Sequence, residues 1–384
     1  MSVEEQGLKT SGGKATGAGL RGQSAGQTAI ATVGKTGVGL TYRGYPIETL
    51  AEHALFEEVA YLLIYGKLPN RIELDAYLLR LSRLRGLPQA LKETLERIPG
   101  GAHPMDVLRT GCSMIGALEP EGDFSRGRDV ADRLLAVFPS MLCYWHRVAT
   151  EGKRIETETD DNSVGGHFLH LLHGRKPSEL HRQAMNASLI LYAEHEFNAS
   201  TFACRVCAST LSDFYSAVGA GIGTLRGPLH GGANEAAMEL IQRFQTPDQV
   251  RATLREMLAQ KVKIMGFGHA VYRERDPRNA IIKDWSRRLS EAAGDTLLYE
   301  VSAAVEAVMW EEKRLFANLD FFSASAYHRM GIPTPLFTPI FVLSRITGWS
   351  AHILEQRANN VLIRPTADYT GPGEREWQPI EARA

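Results

Sequence analysis

The chain runs to 384 residues, more than one hydrophobic core usually serves, so two domains are the starting expectation. Apolar residues make up 44% and charged residues 23%, an ordinary balance for a globular protein. With 43 basic against 44 acidic residues the net charge is −1, which leaves no global field to hold nucleic acid or an anionic membrane. The first 21 residues, rich in Gly, Ser, Thr and Lys, predict a flexible tail. They hold no apolar signal core and carry Glu4 and Glu5, which speaks against a secretory signal or an Arg-rich transit peptide. Thr28–Val33 and Leu40–Tyr42 flank the turn Gly34-Lys35-Thr36-Gly37 and predict a small hairpin. Beyond Tyr45 the pattern is helical. Apolar residues recur at three and four along Phe56–Tyr65, Glu73–Leu84, Val107–Leu118, Ala131–Tyr144 and Glu179–Tyr192. Pro and Gly punctuate the gaps, as at Gly86-Leu87-Pro88 and His103-Pro104. Further helices are predicted over Asn234–Phe244, Val250–Ala259, Ala280–Ala292, Leu297–Phe316 and Pro339–Gln356. With no βαβ alternation, the fold class is all-α, of about 15 or more helices and one minor hairpin. No apolar run reaches the roughly 18–20 residues a spanning helix needs. Four scattered cysteines, Cys112, Cys143, Cys204 and Cys207, suit a reducing compartment better than a disulfide framework. A cytoplasmic enzyme is the expectation.

Three local patterns resemble sites without completing one. Cys204 and Cys207 form a C-x-x-C, but inside a helical run and without a second pair for zinc. His167, His170 and His173 recur every third residue with no carboxylate to complete a metal shell. Gly219, Gly221, Gly223 and Gly227 suggest a dinucleotide loop, and so a nucleotide-binding oxidoreductase, yet a helix-like run precedes them where that loop needs a strand.

Three other segments set a polar side chain among small residues and sharp turns. In Arg226-Gly-Pro-Leu-His230-Gly-Gly-Ala-Asn234, glycines bend the chain on both sides of His230, and Asn234 is positioned to cap the next helix. The positive end of that helix disfavours a charged ring, and a neutral imidazole can donate to a developing oxyanion. Gly266-Phe-Gly268-His269-Ala-Val-Tyr-Arg273-Glu-Arg275-Asp276-Pro277-Arg278 joins a histidine to three arginines, whose planar forks suit phosphate and carboxylate. In Asn318-Leu319-Asp320-Phe-Phe-Ser323, a carboxylate lies between apolar residues, where desolvation raises its basicity. The competing structural readings are a capping histidine, a solvated charge run and a helix-capping aspartate.

Together these segments resemble the catalytic motifs of the citrate synthase family, in order and at fitting separations. Glu194-His195-Glu-Phe-Asn198-Ala-Ser is similar to that family's substrate-binding histidine segment, and Ser344-Arg345 and Ile363-Arg364-Pro365 to its two late arginines. The likeness runs from about Thr28 to Pro372. Within the family it is to the branch that makes 2-methylcitrate, through Asp160–Gly174, Tyr192 ahead of the histidine and Leu319 before the aspartate. The resemblance implies a large helical domain over 22–222 and 325–384, and a small helical domain over 223–324. It implies that propionyl-CoA condenses with oxaloacetate and water to give 2-methylcitrate and CoA, with acetyl-CoA also accepted or, alternatively, preferred. His230, His269 and Asp320 would be catalytic, and His195, Arg278, Arg345 and Arg364 would hold oxaloacetate, Arg364 from the second subunit of a homodimer. Coenzyme A would run along Lys263, Ile264, Met265, Gly266 and Phe267, near Arg273 and Lys313, with Tyr192 and Leu319 shaping the acyl pocket. No metal and no cofactor are implied, because acyl-CoA is a substrate.

Overall fold

A computed structural model describes residues 23–34 and 39–383. The predicted tail, and Lys35, Thr36 and Gly37 of the predicted turn, lie outside the described residues. The hairpin is present as β1 (Ala31–Val33) and β2 (Leu40–Tyr42), antiparallel, with Ala31 opposite Tyr42. Its first strand is shorter than expected, and a third, β3 (Tyr45–Pro46), joins the far side of β2. Arg43 and Gly44 both take positive φ, 45° and 91°, and this tight reversal makes the extra strand possible.

Sixteen α-helices follow among the described residues. The first five are α1 (Ile47–His53), α2 (Phe56–Tyr65), α3 (Arg71–Arg83), α4 (Gln89–Arg97) and α5 (Pro104–Leu118). Next come α6 (Gly127–Glu151), α7 (Val164–His173), α8 (Glu179–Tyr192), α9 (Ala199–Ser209), α10 (Phe214–Leu225) and α11 (Ala233–Ile241). The series ends with α12 (Asp248–Ala259), α13 (Asn279–Ala292), α14 (Leu297–Lys313), α15 (Leu319–Arg329) and α16 (Phe337–Ala358). Start signals are legible locally: Asn70 and Glu73 form a capping box on α3, and Ser163, Ser178, Asn198 and Asp213 cap α7 to α10 through their side chains. The predicted helix over Leu297–Phe316 ends early, at Lys313. Arg314 turns left-handed at φ 53°, and the chain beyond it pairs with another loop.

Two helices act as hubs. α16 packs against α2, α5, α6, α8, α9 and α10 and is buried on all sides, so it carries no solvated face. α15 packs against α8, α11, α13 and α14. α8 touches both hubs, and the candidate site forms where α8, α15 and α16 meet. No helix among the described residues is long and apolar enough to cross a membrane.

Candidate active site

His230 sits on the turn between α10 and α11. Gly231 makes that turn possible, because a Cβ there would lie 2.5 Å from the Leu225 carbonyl oxygen. The expected capping role of Asn234 is not found. Gly232 occupies the cap, Asn234 is the second helical residue, and its Oδ1 accepts the Glu235 backbone N–H at 2.8 Å. The two-glycine bend starts the helix earlier than the asparagine. His230 Nε2 accepts the Ser200 backbone N–H at 3.3 Å and lies 2.9 Å from Ser200 Oγ. A backbone N–H only donates, so Nε2 is the bare nitrogen and the neutral ring carries its proton on Nδ1. Burial, then the charge of Arg345, pushes the His230 pKa down to about 4. The ring is therefore neutral at pH 7 and offers one hydrogen through Nδ1.

His269 is prepared in the mirror sense. Its Nδ1 accepts the backbone N–H groups of Val271 and Tyr272 at 3.1 and 3.3 Å, which leaves the proton on Nε2. Burial, then Arg278, lowers its pKa to about 4. The loop before it needs glycine: Gly266 has φ 83°, and a Cβ there would fall 2.9 Å from Phe321 Cβ. This close approach lets residues 266–268 pair with 316–318. Gly268 N–H donates to Phe316 O at 2.8 Å, and Asn318 N–H to Gly266 O at 2.9 Å.

Asp320 lies in the first turn of α15 but does not cap it. Asn318 does, accepting the Asp320 N–H at 3.0 Å while its own amide donates to Gly268 O at 3.0 Å. The histidine loop and the carboxylate helix are thus stitched together. Asp320 keeps partial access to solvent, yet the packing around it raises its pKa to about 6. The Tyr192 hydroxyl, donating to Asp320 Oδ1 at 2.7 Å, works against that rise, as do Arg278 and Arg345, while Asp276 adds to it. Tyr192→Phe removes one of the opposing groups. The Asp320 pKa should then climb above about 6, moving the acid limb of a kcat/KM–pH profile to higher pH. An unmoved limb would show that the phenol does not set the basicity of this carboxylate.

The cationic side is built on α16 and the 269–278 loop. Arg345 is buried, donates through Nε to the Tyr192 carbonyl at 2.7 Å, and has no hydrogen-bond partner for Nη1. Desolvation lowers its pKa to about 10, so the ion persists at pH 7. Its guanidinium lies over the Phe341 ring at 4.6 Å, and that ring also contacts Tyr192 and His230. Arg278 is buried too and forms a paired contact with Asp276, Nε to Oδ1 at 2.9 Å and Nη2 to Oδ2 at 2.8 Å. Burial opposes the charge, but Asp276 holds Arg278 above its ordinary range. Asp276 Oδ2 also accepts the Leu319 N–H at 3.2 Å, joining this arginine to the base of α15. His195 meets the Tyr272 hydroxyl at 3.0 Å through Nε2, and its ring lies 4.9 Å from that of His269. Burial first, then Arg278, drives its pKa well below the usual range.

Shared neighbours thus bring together His230, His269, Asp320, His195, Arg278, Arg345 and Tyr192. Leu319, buried, adjoins them. Ile264 is buried, and Met265 and Phe267 are half-buried behind the glycine turn. Lys263, Arg273 and Lys313 are exposed, without hydrogen bonds or ion pairs from their side chains among the described residues. Arg364 is exposed as well, on the irregular segment after α16, where Ile363 N–H is held by Ser209 Oγ at 3.0 Å. The Arg364 side chain makes no hydrogen bond or ion pair among the described residues. Sequence reasoning missed Ser200, Tyr272, Asp276, Asn318 and Phe341 as working parts. Each lies within a few residues of a quoted motif residue, but their roles depend on which backbone group they face. The three decoy patterns resolve structurally. His167 is buried between Ser140 Oγ at 3.1 Å and Thr159 Oγ1 at 3.0 Å, Cys204 is buried within α9, and the glycines 219–223 lie inside α10.

The family model described as citrate synthase, C-terminal domain, matches residues 19–366. A protein of Shewanella oneidensis named 2-methylcitrate synthase is 65% identical over 96% of this chain and 99% of its own. A Bacillus subtilis protein named citrate synthase 2 is 44% identical over 90% of this chain and 94% of its own. Among solved structures, a citrate synthase of Thermoplasma acidophilum in a ternary complex with carboxymethyl coenzyme A and oxaloacetate superposes with a TM-score of 0.88. It is 33% identical, over 95% of this chain and 98% of that one. Matched in sequence along nearly its whole length and in fold at the same extent, the chain belongs to the citrate synthase family.

Proposed function

We propose that this enzyme condenses propionyl-CoA with oxaloacetate and water, giving 2-methylcitrate and CoA. The carrying observation is the orphaned Nη1 of buried Arg345 beside three groups whose proton positions suit the chemistry. A buried cation with one nitrogen left unpaired is a site awaiting an anion, and a dicarboxylate supplies one. Arg345, Arg278 and His195 bind oxaloacetate. His230 donates from Nδ1 to the thioester oxygen while Asp320 takes the α-proton, so the charge left on carbon is delocalised onto a hydrogen-bonded oxygen. That carbon attacks the keto carbon of oxaloacetate, whose oxygen accepts a hydrogen bond from His269 Nε2; the proton that Asp320 took from carbon balances the hydroxyl formed there, and the imidazole stays neutral. Water then cleaves the thioester of the adduct and CoA leaves as the thiol. The proton positions of both histidines are set by backbone N–H groups in the resting site.

Coenzyme A runs along Lys263–Phe267, with exposed Arg273 and Lys313 free for its phosphates. Residues 223–324 close over the rest, which keeps water from the acyl-CoA until both reactants are in place. The enzyme is a homodimer in the cytoplasm. Val361, Leu362, Tyr369, Trp377 and Ile380 are exposed along the C-terminal segment, which suits an arm lying on a second copy and delivering Arg364 to its site. The acyl preference rests on the 65% identical relative and on Tyr192 and Leu319 beside the base. Acetyl-CoA is the second reading, because one methylene is worth only about 1–3 kcal/mol of discrimination. Thiol release with oxaloacetate, measured side by side for acetyl-, propionyl- and butyryl-CoA, tests both. Highest kcat/KM with propionyl-CoA is expected. A higher value with acetyl-CoA would make this a citrate synthase, and no thiol release with any of them would overturn the proposal.

A further inference from the structure

His230 is held from behind by more than one group. Ser200 Oγ lies 2.9 Å from His230 Nε2 and 2.9 Å from Asn198 Oδ1, and it accepts the indole N–H of Trp349 at 3.1 Å. Trp349 is wholly buried on α16, one turn beyond Arg345, and sequence analysis gave it no role. Its ring is seated against Gly221, where a Cβ would lie 3.0 Å from Cε2 and 3.1 Å from Cδ2. A glycine that resembled part of a phosphate loop is therefore the seat of an indole.

We infer that Trp349 is a positioning residue for the reaction: its indole N–H, acting through the Ser200 hydroxyl, reinforces the Ser200 backbone N–H in holding His230 as the tautomer that donates from Nδ1. The inference rests on the role proposed above for His230.

A serine hydroxyl has one hydrogen and two lone pairs, and an indole N–H can only donate. Trp349 thus occupies one lone pair of Ser200, and the hydroxyl hydrogen turns to Asn198 Oδ1 or to His230 Nε2. An oxygen that already accepts one hydrogen bond is a stronger donor and a weaker acceptor. The indole therefore biases Ser200 towards donating to Nε2 and away from accepting a proton from it. The Ser200 backbone N–H, aimed at the same nitrogen, acts in the same sense. When the Ser200 hydrogen is turned to Nε2 and not to Asn198 Oδ1, the donors run head to tail: indole N–H to Oγ, O–H to Nε2, and Nδ1–H to the thioester oxygen. Charge gathering on that oxygen is answered by a chain whose far end is anchored in the core. Without the indole N–H, Ser200 accepts more readily from an Nε2–H ring, the tautomer that leaves Nδ1 bare.

Two variants separate donation from packing. Trp349→Phe removes the N–H and part of the ring. Replacing Trp349 with β-(3-benzothienyl)alanine keeps the shape and puts sulfur where the N–H was. For the isostere, kcat should fall about tenfold, with KM for oxaloacetate unchanged, since Arg345 and Arg278 are untouched. Histidine nitrogen NMR shifts of the resting enzyme should show His230 moving towards the Nε2–H form. An isostere with parental kcat would overturn the inference even if the phenylalanine variant is impaired or fails to fold, because packing would then be the whole role. A fall in kcat without any shift at His230 would overturn it as well. The tautomer readout needs no substrate, so an enzyme that released no thiol from any acyl-CoA would sink the proposed reaction and leave the NMR arm to decide on Trp349.

Discussion

Asp320→Asn is expected to lower kcat by about a thousandfold while leaving the helices intact. The amide keeps the shape of the carboxylate and still accepts from Tyr192, but it cannot take a proton from carbon, and general-base assistance is worth roughly 10²–10⁴ in rate. The sign of the stability change is an independent check. Burial raises the Asp320 pKa to about 6, above the ordinary value of 3.8, so the folded state holds a proton that the unfolded chain would release. Such a group destabilises the fold progressively as pH rises from about 4 to about 6, reaching about 3 kcal/mol by pH 7, and the penalty fades as pH falls back towards 4. The asparagine variant should therefore melt at or above the parental temperature at pH 7, and the gap should narrow at pH 5. Turnover within a few-fold of the parent, or a large loss of stability at pH 7, would refute Asp320 as the base.

Arg345→Ala should weaken oxaloacetate binding by about a hundredfold or more. Breaking a buried charge pair typically costs about 2–5 kcal/mol, and each 1.4 kcal/mol is tenfold. Calorimetric titration of oxaloacetate reads this directly, and an unchanged affinity would remove Arg345 from the anion site. Arg345→Met separates binding from folding. It fills similar volume and relieves a buried cation whose Nη1 has no partner, so the empty enzyme should be no less stable while oxaloacetate binding is still lost. Arg345→Lys is not a conservative exchange here, because the ammonium cannot hold the Tyr192 carbonyl and present a planar fork together.

The sequence carried the helices that show their apolar stripe, such as α2 and α8, and the motifs around His230, His269 and Asp320. It carried α10 poorly, because Gly219, Gly221 and Gly223 read as a loop. Their reason for being small is tertiary: Gly221 must clear Trp349 and Cys204, which no local pattern records. Asn234 was misplaced because a good capping side chain was given more weight than the Gly231–Gly232 bend beside it. The histidines were legible as residues but not as tautomers. Those depend on which backbone N–H faces which ring nitrogen, from Ser200 in one case and from Val271 and Tyr272 in the other. Asp276 looked like a turn residue before a proline, and its paired contact with Arg278 emerges only from the fold.

That same carboxylate has a consequence for how this enzyme can change. Asp276 grips Arg278 with both oxygens while one of them also holds the first amide of α15, and its charge is felt at Asp320. In the proposed reaction, recognition of the keto acid and strength of the base therefore share one part. A substitution that retunes the first will disturb the second, so new keto-acid partners are hard to reach by single steps from this side of the site. The acyl side is tied in likewise, since Tyr192 donates to Asp320 and lends its carbonyl to Arg345, so a change of thioester by substitution there also reaches the base.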